Sequence, residues 1–238
     1  MPSQIRISDI GLYLRCPRLV YFDAMGRLSH KSNPMHLLLR SLMLAIVCEE
    51  DLEGQLKGSL TRLERELPLI YDIEPDEINS ACRELEGKIS EISNGLSPYI
   101  DMLVPCDVEV DLRSEKLGLS GRLDRLAPGG IPSLIRSGKM PGEGVWKRDR
   151  LMLAGYSLLL GEKYGKKLGH GLVEYPLSGQ VRKVQIYSVD RARVLRIRDR
   201  VRQIRGGQLP DRPDDARCAE CEALKSCETR VSLASRFF

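Results

Sequence analysis

Residues 107–137 read DVEVDLRSEKLGLSGRLDRLAPGGIPSLIRS, and over this stretch the apolar period of the chain changes from helical to extended. Val108, Val110 and Leu112 alternate with Glu109, Asp111 and Arg113, the two-residue repeat of a half-buried strand. A turn follows, and LGLSGRLDRL is its antiparallel partner. Gly129, Gly130 and Pro132 mark a second turn before SLIRS, which is short and apolar enough for a further strand. Upstream, MHLLLRSLMLAIVCEEDL from Met35 to about Leu52 lacks Gly and Pro and predicts one largely buried helix. Ile78, Cys82, Leu85, Ile89, Ile92 and Leu96 then recur at steps of three and four, a single amphipathic stripe. Downstream, a Gly/Pro-rich loop runs through Gly144, RLMLAGYSLLLGEKY has helical spacing, and GLVEYPL and VRKVQIYSV read as two strands around Ser178 and Gly179. Strands separated by a helix predict an α/β core.

The 238 residues, 42% of them hydrophobic, are enough for one large domain. Its expected parts are a mainly helical 1–100, an α/β core over 101–190, and a basic helix with a cysteine cluster over 191–238. No segment reaches the roughly 20 apolar residues that cross a bilayer, and MPSQIRISDI lacks the basic and apolar runs of a signal peptide. The expectation is a soluble, cytoplasmic protein. A net charge of +4 excludes little, but its distribution is uneven. Between Arg191 and Arg205 seven arginines face one aspartate, around a narrow apolar seam of Val194, Ile197, Val201 and Ile204. Such a helix can track phosphates, or its arginines can pair with the acidic helices of the first half.

Cysteine placement carries the most chemistry. Cys16 stands near the start, while Cys218, Cys221 and Cys227 close the chain with C-x2-C-x5-C spacing. Thiols this close together point to a metal centre rather than disulfides, and four of them suit a structural zinc ion or an iron-sulfur cluster equally. Cys16 can also be unrelated to the trio. Cys48, Cys82 and Cys106 sit in apolar or helical patterns and read as core residues.

ISDIGLYLRCPRLVYFD at residues 7–23 resembles the opening of iron-sulfur RecB-family exonucleases, which include CRISPR-associated RecB-like nucleases and the nuclease domain of a eukaryotic replication helicase-nuclease. IRGGQLPDRPDDARCAECEALKSC resembles their closing segment. The resemblance implies a restriction-endonuclease-like (PD-(D/E)XK) mixed sheet flanked by helices. It also implies a [4Fe-4S] cluster on Cys16, Cys218, Cys221 and Cys227, and Mg2+ or Mn2+ at a nuclease site if that site is active. Divalent metal needs carboxylate oxygens, and a nearby lysine orients the attacking water or stabilises developing charge. GRLD resembles the family's Gly-x-x-Asp and makes Asp124 the candidate ligand.

The next family element, carboxylate-x-Lys, aligns with PSLIRSGK and places Leu134 and Arg136 at those two positions. Leucine offers no donor, and a guanidinium stays protonated, so phosphate binding is the role left to Arg136, with Lys139 close enough in sequence to assist. The family's Gln-x-x-x-Tyr becomes Met152 and Tyr156, and His36 on the early helix is the candidate histidine ligand; His30 falls in a polar loop. Glu109, Asp111, Glu143 and Asp149 are carboxylates that can replace the lost ligand if the fold brings one to Asp124.

The resulting expectation is a DNA-binding iron-sulfur protein of the RecB-like exonuclease family with nuclease activity weak or lost. Its partners would be DNA, most simply single-stranded, and a partner nuclease or CRISPR adaptation proteins. The alternatives are an active metal-dependent single-stranded DNA exonuclease and a zinc-stabilised interaction protein.

Overall fold

The computed structural model describes residues 4–28, 33–216, 218–219 and 221–228. His30 lies outside them. The elements run in the order β1 (Ile5–Arg6), α1 (Ile7–Arg15), α2 (Pro17–Ala24), α3 (Pro34–Leu44), α4 (Leu52–Ile70), α5 (Pro75–Glu86), α6 (Ile89–Leu96), β2 (Asp107–Ser114), β3 (Leu119–Ala127), β4 (Ile131–Ile135), α7 (Lys147–Tyr164), β5 (His170–Tyr175), β6 (Gln180–Gln185) and α8 (Ser188–Arg205).

All six strands form one mixed sheet. β2 and β3 are the expected hairpin, in register Val108↔Arg125 and Val110↔Leu123. β2 runs along one edge of β3; on the other edge β1 pairs in parallel with Leu119 and Ser120, and β4 pairs antiparallel with Arg125 to Ala127. β5 lies parallel to β4, and β6 returns antiparallel to β5.

The sheet separates two apolar cores. On one face Ile7, Ile10, Leu123, Leu134, Leu153, Val173 and Val194 bring α1, α2, α7 and α8 against the strands. On the other, Leu39, Leu56, Cys82, Ile92, Ile135 and Leu172 join α3 to α6 to them. Each buried aliphatic side chain contributes about 1.5–3 kcal/mol of transfer free energy, so the two cores hold the layers in place.

A buried ion pair crosses the sheet interior on the α3 side. Arg125 Nε lies 3.1 Å from Glu174 Oε1, and neither side chain is exposed. Arg125 also donates to the Met43 carbonyl at 2.6 Å, and Ser133 Oγ donates to Glu174 Oε1 at 2.7 Å. The C-terminal end of α3 is thereby tied to β3, β4 and β5.

Three readings of the first half need correction. The apolar run at 35–52 is not one helix: α3 ends at Leu44, and α4 starts afresh after Asp51, which adopts a left-handed backbone and accepts from the Gly54 amide as an N-cap. Cys48 in the connection is exposed, and Cys106 is half-buried with its sulfur 2.9 Å from Arg125 Nη1; of the three expected core cysteines only Cys82 is buried, its thiol pushed up to about 11 by that burial and by Glu64. The stripe from Ile78 to Leu96 is shared by two helices, broken after Glu86 where Gly87 ends α5, although all six stripe residues are buried.

Candidate nucleic-acid site at Asp124

Asp124 stands on β3 with both carboxylate oxygens engaged. Oδ1 accepts from Arg40 Nε at 2.8 Å, and Oδ2 accepts from the Ile135 backbone amide at 3.0 Å. Arg40 projects from α3 and its Nη1 lies 3.2 Å from Glu109 Oε1. Because Val108 and Val110 pair with Arg125 and Leu123, Glu109 sits across from Asp124, and the guanidinium bridges two carboxylates that would otherwise repel. Of the four candidate replacement carboxylates, Glu109 and Asp149 reach this site. Asp111 instead pairs with Arg122 at 3.0 Å on the exposed face of the hairpin.

Asp149, in the first turn of α7, is fully buried and binds Arg136 Nε at 2.7 Å. Arg136 leaves the end of β4 with its Nη1 3.9 Å from Asp124 Oδ2 and its Nη2 3.5 Å from Met152 Sδ. Leu134, two residues earlier, is buried in the core against α7. Tyr156 donates to the Arg122 carbonyl at 2.7 Å, and burial together with Asp124 raises its pKa well above the ordinary phenol value. His36, one helical turn before Arg40, meets Ser137 Oγ through Nδ1 at 2.7 Å. Partial burial and then the Arg136 charge hold its imidazole below 6.5, against an opposing pull from Asp124.

The fold therefore gathers His36, Asp124, Arg136, Met152 and Tyr156 into one site. Lys139 stays outside: it is exposed on the loop after β4, where its carbonyl accepts from the Trp146 indole at 3.0 Å. Arg40 is the residue that sequence reasoning missed. Its signal was a lone arginine four residues after His36 in an apolar helix, which puts both on one face. Chemically, guanidinium groups occupy the space between the carboxylates, and among the described residues no group of three or more His, Cys, Asp or Glu side chains is close enough to hold a metal ion.

The cysteines meet elsewhere. Cys16, at the junction of α1 and α2, lines one cavity with Cys218, Cys221 and Cys227. Arg18 donates to Cys227 Sγ at 3.1 Å and to the Pro210 carbonyl at 3.0 Å, and Arg15 pairs with Glu222 at 3.1 Å, so α1 and α2 hold the closing segment. Burial raises the Cys16 thiol pKa, the Arg18 and Leu19 amides counter it, and charge on Cys221 and Cys227 adds to the rise.

The arginine helix is only partly a free basic surface. Arg205 binds Asp9 at 2.8 Å and Asp23 at 2.9 Å, Arg198 donates to the Leu117 carbonyl at 2.6 Å, Arg191 to Leu168 at 3.1 Å and Arg200 to the Tyr13 hydroxyl at 3.2 Å. The acidic partners are Asp9 of α1 and Asp23 of α2 for Arg205, and Asp199 of α8 itself for Arg198 and Arg202. Arg193 is exposed.

No family model matches the chain. An uncharacterized protein of Archaeoglobus fulgidus is 27% identical over 236 residues, covering 98% of this chain and 99% of its own length. A CRISPR-associated exonuclease Cas4/endonuclease Cas1 fusion of Leptospira interrogans is 28% identical over 138 residues, 52% of this chain and 25% of the fusion, so the match spans a quarter of that relative. A solved structure of a Eubacterium rectale protein assigned as an exonuclease superposes with a TM-score of 0.55 at 15% identity, over 94% of this chain and 88% of its own. The chain shares its overall fold with that structure. In that fold the six-stranded mixed sheet carries Asp124 on β3 and Arg136 just beyond the end of the neighbouring β4, facing α3 and α7. No helix among the described residues is long and apolar enough to cross a membrane.

Proposed function

We propose that this chain is a DNA-binding protein built on the RecB-like nuclease fold, with nuclease activity weak or lost. The observation that carries the reading is the Arg40–Asp124 pair, together with Leu134 in the core. A hydrolytic divalent ion needs several oxygen donors on one centre. Here one Asp124 oxygen is held by a guanidinium and the other by a backbone amide, Leu134 supplies none, and Arg40 and Arg136 place positive charge beside the remaining carboxylates. These residues do not fit Mg2+ or Mn2+.

What remains suits binding. Arg148, at the rim of the site, is exposed and reaches Asp149 only at 3.8 Å, and phosphate oxygens are the natural acceptors for an exposed guanidinium. A CRISPR setting, with a partner nuclease supplying the cleavage, is the context that the Leptospira relative's name suggests.

The four cysteines that line one cavity fit a [4Fe-4S] cluster: four thiols form a complete donor set, and Arg18 directs an N–H at one of the sulfurs. When bound, the cluster supplies a cross-link between residue 16 and the closing segment. Cys16, Cys218, Cys221 and Cys227 hold it, Arg18 stabilises sulfur charge, and Arg15 with Glu222 keeps the segment against α1.

The test is anaerobically purified protein on end-labelled single-stranded and double-stranded DNA with Mg2+ or Mn2+, scored for binding and cleavage together. Binding without cleavage is expected. Metal-dependent cleavage abolished by Asp124→Ala overturns the reading in favour of an active exonuclease.

A further inference from the structure

We propose that Trp146 is a stacking platform for an unpaired base of single-stranded nucleic acid, with the adjoining phosphates held at Arg148 and Lys147. The proposal rests on the nucleic-acid-binding reading above and names the form of ligand that its site takes.

Trp146 is the chain's single tryptophan, and 49% of it is exposed. It is nevertheless held in a fixed pose. Its indole N–H donates to the Lys139 carbonyl at 3.0 Å, and Arg182 staples the preceding loop by donating to the carbonyls of Gly142, at 3.1 Å, and Gly144. A ring presented on a braced loop loses little conformational freedom when a partner stacks on it.

The charge beside the ring decides the partner. Two residues on, Arg148 reaches Asp149 Oδ1 only at 3.8 Å, because Arg136 already occupies that oxygen at 2.7 Å. Its side chain is 43% exposed. Burial and then the nearby Arg136 weaken its hold on a proton and Asp149 opposes them, so Arg148 is left exposed with a carboxylate no nearer than 3.8 Å. Lys147 is exposed beside it. A flat aromatic face next to the exposed cations Lys147 and Arg148 matches a polyanion with free π-faces. Duplex bases are covered by their neighbours, whereas single strands offer one face per nucleotide.

The test uses the full chain, with end-labelled oligothymidylate and an abasic phosphodiester strand of equal length followed by anisotropy. Unlabelled strands are titrated in parallel against Trp146 fluorescence, which reports this one ring. Oligothymidylate is expected to quench the emission with the midpoint seen by anisotropy, while the abasic strand binds without quenching. Trp146→Ala should weaken oligothymidylate binding about 5- to 150-fold and leave the abasic strand unaffected, and Trp146→Phe should recover most of the loss. Oligothymidylate binding with unchanged emission, and equal binding by Trp146→Ala, overturns the platform while leaving the nucleic-acid reading in place. Failure of both strands to bind overturns both.

Discussion

Arg40 Nε lies 2.8 Å from Asp124 Oδ1, and the same guanidinium spans 3.2 Å to Glu109 on the neighbouring strand. A cation between two carboxylates is what a metal-dependent nuclease also builds, but this one is a side chain. It is fixed, always protonated, and has no open position for water. Removing it should leave Glu109 and Asp124 facing each other with nothing between them. Arg40→Ala is expected to destabilise the protein by about 1.5–3 kcal/mol, as for loss of a charged hydrogen bond in a mostly buried setting, measured by urea unfolding. An unchanged midpoint would mean that the pair adds nothing.

Arg125 and Glu174 form the other consequential pair. Neither side chain is exposed, so losing one strands a charge in the interior. Arg125→Met is expected to cost about 3–5 kcal/mol, and the double variant Arg125→Met with Glu174→Leu should recover much of that. Equilibrium unfolding of the three proteins checks this, and a double variant no more stable than the single one would contradict it.

His36 offers a pH test. Its folded pKa lies below the ordinary 6.5, first through burial and then through Arg136. The folded state thus resists protonation, so the stabilisation from neutral imidazole is complete above pH 6.5 and is lost as pH falls through the folded midpoint. An NMR titration should place that midpoint below 6.5, and Arg136→Leu should move it upward. A wild-type midpoint at or above 6.5 contradicts the placement of His36 beside the arginines.

The cysteine cavity predicts a cross-link. Anaerobically prepared protein should carry iron and sulfide with a broad visible absorption band, and Cys221→Ala should lose the band and melt on the order of 10 °C lower. Unchanged metal content and melting temperature in that variant would separate the cysteines from any structural role.

Much of this fold was legible because its period signals are local. The hairpin from Val108 to Leu126, the helix around Tyr156 and the strands on either side of Ser178 all form where alternation or helical spacing places them. The break between Leu44 and Leu52 was not, because an uninterrupted apolar run hides an N-cap that depends on Asp51 adopting a left-handed backbone. β1 escaped as well, since two residues carry no period. The site was half legible. Asp124, Arg136, Tyr156 and His36 converge, and Leu134 takes a core position, as its apolar strand pattern indicates. The meaning of Arg40 was not, because its partner lies 84 residues away and only the packing of α3 on the sheet brings them together. The sequence left two readings of the α8 arginines open, a phosphate-tracking face or pairing with first-half helices, and Arg205 takes the second through Asp9 and Asp23.

The most direct test of the central claim, that a guanidinium stands where a nuclease would hold its divalent ion, is Mn2+ binding followed by the EPR signal of the free ion. Wild-type protein should leave that signal undiminished apart from weak surface binding, and Arg40→Ala should gain a site that Asp124→Asn removes in the same background. A tight site in the wild-type protein, lost in Asp124→Asn, would contradict the account.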